Sequence, residues 1–364
     1  MKKVLSILLV LCLMLGTAAC DKDNNTTSDS GTKPTGSATA PTENAATPTG
    51  SAVTPTEAAV TPTDAAKQED GKITIAYPAN MQQRGFTEPV VLDKKPEKVV
   101  SMSTAPVLAL NRLGINFIAV PKTSVVTWPE NMKDVTLLNT SMNSNFDIET
   151  VIVMEPDLVI LGATSKDTYG GQLTDAGIPV YYVDAGHTVS YESVKAQTEV
   201  LVEAFGKGTA EGEALLKAFS DLESKLAEIK KKLEGKTVMI LQSSPPSHYI
   251  QTENGTLGTM AKMIGLTNVY VNDATSMAEV DFEQALSYDP DLVLTCGMMP
   301  SAEGHKQVME EDFAKNPDYW NAIKAIKDGN IIYLPVSFTS TAGISILDRI
   351  NELSDIVLAH FGLQ

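Results

Sequence analysis

Two stretches of the chain share one pattern of apolar and polar positions: FDIETVIVMEPDLVIL, from Phe146 to Leu161, and VDFEQALSYDPDLVLT, from Val280 to Thr295. Identical residues recur at a constant offset of 134, among them Glu149 and Glu283, and Asp157 and Asp291. Each copy predicts a short helix opened by an aspartate N-cap (Asp147 or Asp281) and halted before a proline. A continuous apolar run follows, suited to a parallel strand covered on both faces. The offset exceeds any solenoid period and predicts two similar α/β lobes, whose natural ligand site is the cleft between them.

The pattern around the repeats extends this plan. Ile73 to Leu92 reads as an edge hairpin, Lys98 to Ser101 as a strand, Ala105 to Leu113 as a helix ended by Gly114, and Phe117 to Pro121 and Pro179 to Val183 as further strands. Between 190 and 234 the signal becomes helical. Val194, Val200, Leu201 and Phe205 form one stripe, Gly206 and Gly208 interrupt it, and Leu215, Phe219, Leu222, Leu226, Ile229 and Leu233 form a second. That second helix would run about 26 residues, roughly 39 Å, long enough to join two lobes. Strands at Thr237 to Leu241 and Ile331 to Leu334, with helices near Leu257 to Ile264 and Ile346 to Ala359, predict that the second lobe repeats the plan of the first. The fold class is therefore α/β, two similar lobes with parallel sheets joined by one long helix.

The first 70 residues have a different character. Lys2 and Lys3, an apolar stretch from Val4 to Leu15 and small residues up to Cys20 read as a signal peptide over 1–20. Ala18 and Ala19 before Cys20 resemble a lipoprotein box, although Thr17 departs from the usual leucine; the resemblance implies a diacylated Cys20 and membrane anchorage. Residues 21–70 are dominated by Ser, Thr, Ala, Pro and Gly, with X-Pro-Thr recurring every seven residues from Pro34 to Pro62, and read as an extended tether. The expected organisation is then an N-terminal lobe over 71–189, connecting helices over 190–235 and a C-terminal lobe over 236–364.

The formal charge of -17 argues against nucleic acid as a partner. Cysteine occurs only at Cys12, Cys20 and Cys296, so once a signal peptide is removed no internal disulfide framework is expected.

Signal peptide, lipid anchor, tether, two similar lobes and a connecting helix together resemble the substrate-binding proteins of ABC importers, in the helical-backbone class that handles iron complexes, haem and cobalamin. KPEKVVSMSTAPVLALNRLG resembles that family's opening strand and helix, DIETVIVMEPDLVIL its first-lobe signature and YWNAIKAIKDGNIIYLP its final helix-strand step. VPKTSVVTWPENMKDVTLLNTSMNSNFDIE, SHYIQTENGTLGTMAKMIGLTNV and GMMPSAEGHKQVMEEDF resemble the haem-binding lipoproteins of Gram-positive iron-regulated surface systems. The resemblance implies a monomer on the extracellular face of the cell membrane, delivering haem or a related iron complex to a permease dimer with its ATPase. It also implies that Glu149 and Glu283 dock onto permease arginines. The dipole at each helix start would equally favour those charges.

In that subgroup a methionine ahead of the first-lobe helix and a histidine at the end of the second-lobe repeat strand bind haem iron. Met142 stands at the methionine position, whereas the histidine position reads Thr295, Cys296, Gly297, Met298, Met299. Haem iron takes sulfur or imidazole donors. Candidates opposite Met142 are therefore Cys296, Met298 and His248; Trp128 and Tyr249 are further ligand-binding candidates and, with Tyr169, could supply the aromatic walls a corrinoid needs. His187 also follows a strand, whereas His305 and His360 read as solvated. Corrinoids or ferric siderophores are the alternative cargo, the latter weakened by an arginine inventory of Arg84, Arg112 and Arg349. A tethered adhesion or sensor protein is the alternative from another class. No enzyme signature is legible around Ser101, Ser103 or Ser165.

Overall fold

In the computed structural model, residues 71–140, 148–184, 190–341 and 343–364 are described. Met142, Asp147, His187 and Cys20 lie outside the described residues.

Lobe one begins with the hairpin of β1 (Ile73–Ile75) and β2 (Val90–Leu92), paired antiparallel. Its main sheet holds β3 (Val99–Ser101), β4 (Phe117–Pro121), β5 (Thr136–Leu138), β6 (Leu158–Gly162) and β7 (Val180–Val183) in the order β5-β4-β3-β6-β7, parallel throughout. The crossovers include α1 (Val107–Arg112) and α2 (Ile148–Val153). β6, from the first repeat, is buried at every position, as its unbroken apolar run requires.

Two helices follow. α3 (Tyr191–Phe205) is opened by Ser190, whose hydroxyl accepts from the Ser193 N–H at 3.0 Å, and α4 (Ala210–Lys232) by Thr209, which accepts from the Gly212 N–H at 3.1 Å. α4 is 23 residues long, shorter than the stripe predicted because its first turn begins only after the Thr209 cap. Its charges suit the helix dipole, with Glu211 and Glu213 in the first turn and Lys230 to Lys232 in the last. Leu215, Phe219, Leu222, Leu226 and Ile229 are buried along one face. That face meets α3, which packs on lobe one, and also α5 (Thr256–Ile264) and α9 (Ser345–His360) of lobe two.

Lobe two is built on β8 (Thr237–Ser244), β9 (Ser247–Gln251), β10 (Thr267–Asn268), β11 (Met277–Glu279), β12 (Leu292–Cys296) and β13 (Ile331–Leu334). The main order is β11-β9-β8-β12-β13, with β10 beside β8. β8, β10, β12 and β13 are parallel, but β9 and β11 run against their neighbours, so the sheet is mixed rather than a copy of lobe one. The reason is local: β8 extends to Ser244 and turns through Pro245 and Pro246 straight back into β9. The turn takes the place of a crossover helix. Val238 and Ile240 of β8 feed the large core shared with lobe one, whereas Met239 and Leu241 feed a second cluster around Trp320 on the other face. Both faces are covered, which explains the lack of alternation along the strand. Helices on that second side are α6 (Phe282–Ala285), α7 (Ala302–Lys315) and α8 (Pro317–Trp320).

The lobes touch where Gly343 of lobe two abuts Ala105 of lobe one. Gly343 has φ +53, and a Cβ there would lie 1.8 Å from the Ala105 carbonyl oxygen. Beside this contact is a cavity of about 20 Å³ bordered by Pro106, Asp184, Gln197 and Ile344.

Candidate functional site

Open α/β sheets place ligands at the carboxyl ends of their strands. In lobe two the central strand there is β12. Its last residue, Cys296, is fully buried with Sγ 3.7 Å from the Leu241 carbonyl oxygen, and burial pushes its thiol well above the usual range. A protonated, enclosed thiol is a poor metal donor. Gly297 follows with no room for a side chain, since a Cβ would lie 2.4 Å from the Ser243 carbonyl oxygen and 2.8 Å from the His305 ring. Met298 then projects into solvent, 72% exposed, and Met299 is 36% exposed, its carbonyl accepting the Val336 N–H at 2.9 Å. Of the sulfur atoms at this strand end, Met298 is the most accessible.

His305 is placed differently from the solvated position expected of it. It lies beneath Gly297, 1% exposed, with Nε2 3.0 Å from Thr295 Oγ1, and burial lowers its pKa from 6.5 to about 4. His305, Met309 and Asp312 are the buried residues of α7, spaced four and three apart on one helical face. That spacing was the available signal. It was weak because two of the three residues are polar.

His248 is also buried. Its Nδ1 lies 3.1 Å from Ser243 Oγ and its Nε2 3.3 Å from Asp312 Oδ2. Burial lowers its pKa, opposed by the Asp312 carboxylate. It borders a lobe-two pocket with Phe282, Tyr319 and Trp320. Tyr249, the next residue on β9, points to the other face and is 39% exposed, in register with Gln242 and Glu279. Trp128 is half-buried against lobe one, its indole N–H donating to the Pro121 carbonyl at 3.1 Å. Among the described candidates, then, Cys296 and His248 are buried, Met298 is exposed, Tyr249 is partly exposed and Trp128 packs on lobe one. Among the described residues no three His, Cys, Asp or Glu side chains converge to hold a metal ion.

Glu149 lies in the first turn of α2 and Glu283 in the first turn of α6, and both are exposed. The Asp281 side chain caps α6, accepting the Gln284 N–H at 3.1 Å, as the repeat predicts. Ser101 and Ser103 face inward, the Ser101 hydroxyl donating to the Ser103 carbonyl at 2.6 Å.

A match to the family described as periplasmic binding protein spans residues 99–337, from the first strand of the lobe-one sheet to just past the last strand of lobe two. The chain belongs to that family. Among curated relatives, it is 24% identical over 302 residues to the ABC transporter substrate-binding lipoprotein YvrC of Bacillus subtilis, covering 80% of this chain and 90% of that one. It is also 24% identical over 270 residues to the high-affinity heme uptake system protein IsdE of Staphylococcus aureus, covering 71% and 86%. Similar folds include the crystal structure of S. aureus IsdE complexed with heme, at TM-score 0.58 and 22% identity, covering 71% of this chain and 98% of that one. The petrobactin-binding protein YclQ of Bacillus subtilis gives TM-score 0.59 and 19% identity, covering 78% and 98%. The two-lobed α/β fold is what this chain shares with these structures.

Proposed function

We propose that this protein is the substrate-binding component of an ABC importer, capturing an iron complex between its lobes, and that the complex is haem. Support for the importer role comes from the family match together with one relative named as an ABC transporter substrate-binding lipoprotein and another named as a heme uptake system protein. The observation that carries the haem reading is the exposure of Met298 just past the carboxyl end of β12, while Cys296 of that strand and His248 of β9 are withdrawn into the core. Met142 and Met298 then serve as the sulfur donors from opposite lobes, with Trp128 and Tyr249 as aromatic contacts to the macrocycle. The protein sits on the extracellular face of the membrane, held through lipidated Cys20 and the tether, and works as a monomer against the permease dimer.

Visible spectra of the purified protein titrated with haem test this reading. Saturable binding with a perturbed iron band is expected, weakened in Met298→Ala and in Met142→Ala and unchanged in Cys296→Ser. Spectra unaffected by either methionine substitution would remove the axial assignment. Uptake of a ferric siderophore or a corrinoid in preference to haem would change the cargo and leave the importer role intact.

A further inference from the structure

One pocket of lobe two is not used by the cleft reading. It encloses about 370 Å³, within the range of small-molecule sites, and all of its lining comes from residues of lobe two. Three aromatic rings form a corner in its wall. Phe282 and Tyr319 meet at 89° with centroids 4.2 Å apart, Phe282 and Trp320 at 88° and 5.8 Å, and Tyr319 and Trp320 at 77° and 5.3 Å. Rings at right angles present negative faces in different directions around one space. The Asp312 carboxylate, 7% exposed as a residue, lines the same pocket. Among the described residues its one partner is His248 Nε2, at 3.3 Å.

The charge at this pocket is not neutralised by its surroundings. Among the described residues, no lysine or arginine lines it. Burial lowers the His248 pKa from 6.5, against the pull of Asp312, so the imidazole offers Asp312 a hydrogen bond in place of a fixed positive charge such as a lysine or arginine would bring. The Tyr319 hydroxyl, buried and without a hydrogen-bond partner, lies beside the same space, and Asn316 adds a polar edge. A buried carboxylate lacking a cation is costly, and aromatic faces attract positive charge that is weakly hydrated. Both features favour the same kind of occupant, a cation with an apolar coat. A hydrated metal ion would want more oxygen donors than one carboxylate supplies.

We propose that this pocket binds a small organic cation of the alkylammonium class, with Asp312 as its counter-charge and Phe282, Tyr319 and Trp320 as its walls. None of the residues proposed to contact haem (Met142, Met298, Trp128 and Tyr249) lines this pocket, so its failure and that of the haem reading show in different measurements.

The test uses the full chain labelled with nitrogen-15 and titrated with tetramethylammonium chloride against sodium chloride at equal ionic strength. The protein has two tryptophans, and the Trp320 indole signal is identified by its loss in Trp320→Phe. A saturable shift of the Trp320 signal is expected with tetramethylammonium alone, while the Trp128 signal stays in place. Asp312→Asn, which keeps an acceptor for His248, should weaken binding about tenfold or more, and Phe282→Leu by a few-fold. Phe282 is 37% exposed, so its replacement tests the wall without disturbing the core if Asp312→Asn fails to fold. No saturable shift, an equal shift with sodium, or unaltered affinity in the variants overturns the proposal.

Discussion

Asp157 and Asp291, equivalent residues of the two repeats, make the same connection in both lobes. Asp157 Oδ2 accepts the N–H groups of Glu97 and Lys98 at 2.8 and 3.0 Å, just ahead of β3. Asp291 Oδ2 accepts the N–H and hydroxyl of Thr237, the first residue of β8, at 2.8 and 3.0 Å. Each carboxylate thus fixes the register between a repeat strand and its central neighbour. The duplication of this residue has a structural cause that needs no ligand.

Replacing either aspartate with alanine should cost about 1 to 2 kcal/mol, since both sites are exposed to water and a full charged hydrogen bond is not recovered there. Urea unfolding checks this. Asp157 titrates below 3.8, mainly because of the Glu97 N–H, so its contribution is present above that value and is lost as pH falls through the lower folded value. Asp157→Asn should retain part of the stability and lose this acid dependence.

His305 produces a slope at milder pH. The unfolded chain takes up a proton near 6.5, whereas the folded chain resists until about 4, so protons favour unfolding across that window. Stability is fully present above 6.5 and should fall by about 1 to 3 kcal/mol as pH drops toward 4. His248 and His360 shift in the same direction, so the His305 share is read as the difference from His305→Gln, which should flatten part of the slope. Identical pH profiles for the two proteins would contradict the burial seen here.

Cys296 should resist modification. A buried thiol raised far above its usual pKa holds almost no thiolate at pH 8. Labelling with iodoacetamide followed by peptide mapping should find Cys296 unmodified in the native protein and modified in denaturant. Rapid native labelling would place it in the open.

Gly343→Ala should destabilise by about 1 to 3 kcal/mol, because the left-handed φ and the Ala105 carbonyl both oppose a side chain. The lobes meet at this point, so the same change should also alter cargo affinity, measurable by titration. A loss of stability with wild-type affinity would confine its role to folding.

If Glu149 and Glu283 engage the permease, alanine at both should abolish uptake in cells and leave cargo affinity near wild type. Uptake at the wild-type rate would remove them from the interface.

The central strands were readable because they are covered on both faces, leaving apolar runs such as Leu158 to Leu161 and Leu292 to Leu294 without polar interruption, whereas the exposed edge strands β5 and β11 carry no such run. The long helix was readable from a stripe, Leu215 to Leu233, that stays apolar over about five turns. The reversal into β9 was not, because SHYIQ has no pattern that separates an antiparallel strand from a loop around a proline turn. The burial of His305 and Asp312 was missed for a related reason: their helical face is held by polar side chains with specific partners, and hydropathy does not record partners. Which side chains meet a ligand depends on such three-dimensional pairings.

The crowding at Gly297 bears on what can be reached from this strand end. The Ser243 carbonyl and the His305 ring occupy the space a side chain would need, so position 297 is silent toward anything bound at the strand end. The next position, Met298, is the first from which an atom can project. Between the buried Cys296 and the exposed Met298, the chain therefore offers nothing to a ligand at this strand end. If Met298 binds cargo as proposed, the reach of its unbranched side chain, and not the strand backbone, sets how close the cargo comes to β12.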